Sequence, residues 1–364
     1  MKLNKRAVLL AVFFLLFGVL IVVIASTGAK KHDKKVIGFI MTGSINESGW
    51  NGMHYKGVYE ACQKLGTEII VKENLKEFSG ECAKAISDLI KKGCKMIILS
   101  SYGYPEEVQD VIEAHPEIAF YCNSFNMHEP NMTSYFTRMY QARYFAGIVA
   151  GMKTENNKIG YVAAMKNSEV NRGINAFALG VRRVNPEATV TVVWSGDWDN
   201  ESAEKRKAGQ LIYEIGTDVI TYHQNQSYVV ETAEEAGIYS IGYHQKPDSH
   251  SEKYLATTAC DWSLTYQAII KQFLQGKSFE SDAYWIGIEE DENAVLLRDI
   301  SPLLDEEIKQ EIEKARNEML AGKDVFSDVI YDNQGNQQCK ENERISDRVI
   351  LEHMDWLVEG VEAY

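Results

Sequence analysis

The sequence predicts an α/β protein of two lobes, each a mostly parallel sheet flanked by helices, behind an N-terminal transmembrane or signal helix. Three observations carry this expectation. Short apolar segments of strand length alternate with stretches of helical period, as parallel sheets with crossover helices require. The alternation runs as two series that meet at a polar stretch near residue 155. Ahead of both, an apolar run follows a group of positive charges.

That run extends over residues 7–25, behind Lys2, Lys5 and Arg6. Its nineteen residues would span roughly 28 Å as a helix, about the hydrocarbon thickness of a bilayer. Basic residues stay on the cytoplasmic side, so the rest of the chain is expected outside, at the cell membrane, with its lobes extracytoplasmic. Ala25-Ser-Thr-Gly-Ala29 offers no clean Ala-x-Ala cleavage site. The segment therefore reads as an uncleaved anchor, with a cleaved signal peptide as the alternative. Residues 1–34 form anchor and tether.

The first lobe covers residues 35–155. Strands are expected over 35–41, 67–71, 95–100 and 118–122, and an extended segment over 132–136. Helices lie between them, starting with Trp50, His54, Gly57, Val58, Ala61 and Leu65 at helical spacing and stopped by Gly66. Others are expected over 80–92 and 105–114. A helix over 140–152 carries Ala146, Gly147, Ala150 and Gly151, small residues that permit close helix packing.

The second lobe covers residues 156–262. Its strands are expected over 158–163, 189–194, 218–222, 238–243 and 254–258, and its helices over 170–184, 201–215 and 228–236. Residues 263–364 complete both lobes: a helix over 263–275, extended returns over 283–287 and 294–297, a charged solvated helix over 305–320, a turn at Asp332-Asn-Gln-Gly335 and a last helix over 345–361. The six cysteines contain no Cys-x-x-Cys pair and read as buried free thiols, with a disulfide as the alternative.

Composition excludes some partners. Net charge is −14, and −17 once the three leader bases are set aside, so no nucleic acid is expected. The eight histidines contain no His-Glu-x-x-His, and no Gly-x-Ser-x-Gly or phosphate-binding Gly-x-x-x-x-Gly-Lys-Ser occurs. The reading is of a binder, not an enzyme, with no cofactor and no metal.

Ligands of open parallel sheets bind beyond the carboxyl ends of the strands. Those ends carry aromatics beside amides, hydroxyls or carboxylates: Trp50-Asn51, Tyr102, Asn123-Ser-Phe125, Trp198, His223, Tyr243-His244 and Asp261-Trp262. The candidate ligand-binding residues are Trp50, Asn51, Tyr102, Trp198, His223, His244, Asp261 and Trp262. Each has an ordinary structural role open to it, the aromatics as packing and Asp261 as a helix N-cap. Rings to stack on and amides to read polar edges suit a flat heterocycle.

Gly43-Ser-Ile-Asn-Glu-Ser-Gly-Trp-Asn-Gly-Met-His-Tyr-Lys-Gly57, Tyr144-Phe-Ala-Gly-Ile-Val-Ala-Gly151, Lys158-Ile-Gly-Tyr-Val162, residues 171–180, Gly216-Thr-Asp-Val-Ile220 and Ala233-Glu-Glu-Ala-Gly-Ile-Tyr-Ser-Ile-Gly242 occur in this order. The chain thereby resembles the basic membrane protein family of extracytoplasmic solute receptors, which includes purine nucleoside receptors of ABC importers. The resemblance implies a periplasmic-binding-protein-like fold, an ABC transporter permease as partner, and Trp50 and Asn51 facing the base. Two positions that look like ribose contacts in the family differ here: Tyr243-His244 replaces an acidic residue, and Asp261-Trp262 stands where a Lys is usual. A purine base is therefore expected over its nucleoside, within an ABC importer's receptor or a membrane-anchored sensory protein.

Overall fold

The computed structural model describes residues 35–123, 129–248, 250–276 and 284–364. The expected N-terminal helix lies outside the described residues, as does Phe125. Among the described residues no helix is long and apolar enough to cross a membrane.

Two sheets organise the chain. The first contains β1 (Val36–Ile40), β2 (Glu68–Lys72), β3 (Met96–Leu99), β4 (Ala119–Cys122), β5 (Met132–Thr137) and β11 (Tyr284–Ile286), in the order β11-β5-β4-β3-β1-β2 and parallel throughout. The second contains β6 (Lys158–Ala163), β7 (Thr189–Trp194), β8 (Val219–His223), β9 (Tyr239–Tyr243), β10 (Tyr254–Cys260), β12 (Val295–Arg298) and β15 (Val361–Ala363), ordered β12-β10-β9-β8-β6-β7-β15. Only β12 runs antiparallel. The hairpin β13 (Ile330–Tyr331) and β14 (Gln337–Cys339) stands apart, around the turn expected at Asp332.

The strands are parallel because helices return the chain to the same end each time. Central strands are apolar on both faces: every residue of Met96–Leu99 and Val219–His223 is buried. Helices Met139–Lys153 and Ser168–Val184 approach so closely that a Cβ on Gly147 would lie 2.0 Å from the Phe177 carbonyl oxygen, and one on Gly180 2.0 Å from that of Tyr144. The small residues of that stretch thus act in backbone contact, as expected. All six cysteines are buried and free.

Three elements depart from expectation. The stretch 105–114 is two short helices, Tyr104–Glu107 and Gln109–Ala114. Helix Glu201–Gly209 widens into a π-helical turn, Gln210–Ile215, before Gly216 closes it in the left-handed region. The tail holds only the helix Asp347–Glu352, and then pairs as β15 with β7. The apolar positions of the tail match a helical period by chance, whereas β7 offers an unpaired edge that backbone hydrogen bonds fill.

Candidate functional site

In each sheet the chain leaves the first strand on one side and later returns on the other, so a crevice opens at the carboxyl ends of β1 and β3, and again of β6 and β8. The loop after β1 leads into helix Trp50–Leu65, and β3 ends beside Ser100. The Trp50 indole N–H donates to the Ser100 carbonyl at 2.9 Å, which fixes the ring across the first crevice. The loop after β6 leads into helix Ser168–Val184, and β8 ends at His223.

Aromatic rings gather at Trp50. Its centroid lies 4.0 Å from His54, 5.4 Å from His244, 5.6 Å from Trp262 and 6.3 Å from Phe136. His54 and Trp262 stack at 3.8 Å with 34° between planes. Helix Trp262–Leu274 reaches this position because Gly57 lets it in; a Cβ there would meet Trp262 Cβ at 2.5 Å. His54 is fully buried, and its Nδ1 bonds the Tyr266 hydroxyl at 2.5 Å. Burial, reinforced by His244, holds its pKa well below the usual histidine range.

The second-sheet side is polar. His223 Nε2 bonds the Tyr243 hydroxyl at 3.1 Å, and the Tyr243 ring lies 3.6 Å from His244. Trp198 meets His223 edge-on at 6.0 Å. The buried Arg143 guanidinium sits 3.9 Å from the Tyr243 ring centroid. Burial, aided by Arg143, depresses both histidines, His244 to about 3, so both are neutral near pH 7. His244 has φ of 64° and donates its backbone N–H to Thr258 O at 2.8 Å. A histidine held in the left-handed region is strained, a condition that clusters at ligand-binding sites.

Loops from the two sheets meet through Asn225. Its side-chain oxygen accepts from the Trp50 backbone N–H at 2.8 Å, and its amide donates to Glu47 at 3.2 Å and Asp199 at 3.0 Å. Glu47 also accepts from Ser44 N and from Asn51 Nδ2, each at 2.7 Å. A Cβ on Gly49 would stand 1.8 Å from the Asn225 carbonyl oxygen. One amide therefore clasps the two walls together, and this contact tolerates only glycine opposite it.

Of the eight candidates, the structure brings Trp50, His244 and Trp262 into one ring cluster and links Trp198 and His223 to it through Tyr243. Asn51 turns toward Thr42 and Glu47. Asp261 caps its own helix, accepting from Ser263 N at 2.9 Å. Tyr102 is 37% exposed. Outside the candidates stand His54, Phe136, Asn225, Arg143, Glu169 and Arg172. His54 matches the buried period of its helix and so reads as core. Glu169 and Arg172 lie one turn apart at the start of the helix after β6, near a strand end, and that position was the available signal. Among the described residues, no group of three or more His, Cys, Asp or Glu side chains could hold a metal ion.

A family model described as ABC transporter substrate-binding protein PnrA-like matches residues 34–325. A putative ABC transporter glucose-binding protein of Haloferax volcanii is 30% identical over 333 residues, covering 89% of this chain and 79% of that protein. A purine-binding protein of Brucella abortus is 27% identical, covering 92% of this chain and 95% of its own length. The crystal structure of a transcriptional activator of the comK gene from Bacillus halodurans superposes with a TM-score of 0.67 at 21% identity, covering 79% of this chain and 98% of that one. This likeness establishes a shared two-lobed α/β fold of the periplasmic-binding-protein type.

Proposed function

Because this chain belongs to the PnrA-like family of ABC transporter substrate-binding proteins, a family of solute binders and not catalysts, we propose that its solute is a purine base, with the corresponding nucleoside as second choice. The cleft between the lobes is where a solute-binding component of an importer holds its small molecule. The observation that carries the purine reading is the ring cluster of Trp50, His54, Trp262, His244 and Phe136. Such a cluster offers flat apolar faces for stacking, with neutral imidazoles at its border for hydrogen bonding. The purine-binding relative in Brucella abortus points the same way.

In this reading Trp50, Trp262, Trp198 and Tyr102 supply apolar faces, His223 and His244 read polar edges, and Asn51 and Asp261 set the loop and helix that present them. The lobes comprise residues 35–155 and 156–262, with 263–364 returning to both, and residues 1–34 tether them outside the membrane beside an ABC permease. Calorimetric titration of ligand-free protein with adenine, guanine, hypoxanthine and their nucleosides tests the proposal, with glucose as the contrasting solute. Binding of bases more tightly than nucleosides is expected. Tighter nucleoside binding removes the base preference, and binding of glucose alone removes the purine class.

A further inference from the structure

Arg172 sits near the start of helix Ser168–Val184, one turn after Glu169, on the helix that follows β6 at the crevice of the second sheet. It is 5% exposed. Its guanidinium carbon lies 4.8 Å from the Phe136 ring centroid and 5.9 Å from that of Trp285. Phe136 ends a strand of the first sheet, and Tyr102 and Tyr243, from strand ends of both sheets, lie within electrostatic reach. The side chain is therefore held between the walls. Yet among the described residues it makes no hydrogen bond or ion pair.

A buried guanidinium carries five N–H donors and no acceptor, and leaving it unpaired is costly. Glu169, one turn earlier and 8% exposed, stands within electrostatic reach but outside ion-pair distance. A second guanidinium, Arg143, is 1% exposed, with Nε and one terminal nitrogen unpartnered. The buried amide nitrogen of Asn123 and indole N–H of Trp262 are unpartnered too, whereas Gln224 contributes one free oxygen. Buried donors with no partner thus gather at the strand ends beside the neutral imidazoles of His223 and His244, whose Nδ1 and Nε2, respectively, are also unpartnered and can serve as donor or acceptor.

We infer that the ligand turns a hydrogen-bond-accepting edge, a ring carbonyl or an anionic oxygen, toward Arg172, so that the site selects oxopurines such as hypoxanthine and xanthine over the aminopurine adenine. The inference rests on the purine reading for its ring and on Arg172 for its edge. A guanidinium fork fits carbonyl and carboxylate oxygens in its plane, and its faces are free to lie against aromatic rings. An exocyclic amino group in the same place would set donor against donor.

The test is calorimetric titration of the full chain with hypoxanthine, xanthine and adenine, for wild type, Arg172→Gln and Arg172→Lys, with thermal unfolding of each ligand-free protein. Wild type is expected to bind the oxopurines on the order of ten-fold or more tighter than adenine. Arg172→Gln should collapse that ratio, and Arg172→Lys should keep part of it. Ligand-free Arg172→Gln should melt no lower than wild type, since it removes an unpaired charge. Tighter adenine binding, or a ratio unmoved by Arg172→Gln, overturns the inference. If no purine binds while the variant is as stable as wild type or more so, the purine reading falls and Arg172 stays assigned to an acceptor-bearing ligand of another class. If no purine binds and the variant is destabilised, Arg172 is structural and both fall.

Discussion

The two walls of the cleft are made of different chemistry. The wall around helix Trp50–Leu65 is aromatic, with Trp50, His54, Phe136 and Trp262 in edge and tilted contact. The wall at the ends of β6, β8 and β9 is polar and ionisable, with Arg143, Glu169, Arg172, His223 and His244 all buried. Stacking on rings is tolerant of sequence and substituent because every flat heterocycle has a face. Hydrogen bonds to buried groups are intolerant, since a mismatch leaves a donor or acceptor unpaired. On the purine reading proposed above, affinity would come from one wall and discrimination from the other, with the Asn225 clasp between them.

The sharpest break of that arrangement is Gly49→Ala. Its Cβ would fall 1.8 Å from the Asn225 carbonyl oxygen, so the walls should fail to meet while each lobe stays folded. Binding of every ligand should drop by about a hundred-fold or more, and small-angle scattering should lose its ligand-induced contraction. A variant that still contracts and binds normally would show that this contact does not govern closure.

Trp50→Ala comes next. Removing a stacking platform costs roughly 1–3 kcal/mol, or about five- to 150-fold, and should do so equally for hypoxanthine and adenine. A change in their ratio, measured by calorimetry, would mean that the aromatic wall also discriminates. Asn225→Ala should weaken all ligands by roughly ten-fold through faster release, since it deletes two hydrogen bonds between the walls, to the Trp50 N–H and to Glu47. Stopped-flow dissociation rates check this; an unchanged off-rate would deny the clasp its role.

The smallest effect is on stability. His54, His223 and His244 are buried with depressed pKa values, His244 at about 3. An unfolded histidine binds a proton below about 6.5, whereas these do not. Their contribution is therefore present above pH 6.5 and is lost as pH falls below it, for His244 down toward about 3, by up to about 1.4 kcal/mol per pH unit for each. Glu204, pushed up to about 7 by burial, acts oppositely: its contribution is present below about 4.5 and lost as pH rises through 7. Denaturant unfolding of His244→Phe against wild type isolates one histidine. The variant should lose less stability between pH 6.5 and 4, and parallel curves would mean His244 is protonated in the folded chain.

Much of the fold was legible because parallel strands buried on both faces leave continuous apolar runs, as in Met96–Leu99. The tail was not, since a three-residue edge strand is too short to show a period of two. In the ring cluster, Trp50, His244 and Trp262 were legible as strand-end aromatics. Arg172 and His54 were not, because a charged residue near a helix start reads as solvated and a histidine on a helical period reads as core. Their partners come from distant segments, and sequence spacing does not register those pairings. The N-cap role of Asp261 was legible too, and its carboxylate accepts from Ser263 N.

The chain passes between the two sheets three times, from β5 to β6, from β10 to β11 and from β11 to β12. A single tether would let one lobe swivel and twist against the other. Three connections in place of one restrict those degrees of freedom. A closing motion confined in this way is expected to bring Asn225 back to the Trp50 backbone N–H that it holds in the structure, with little spent on alignment.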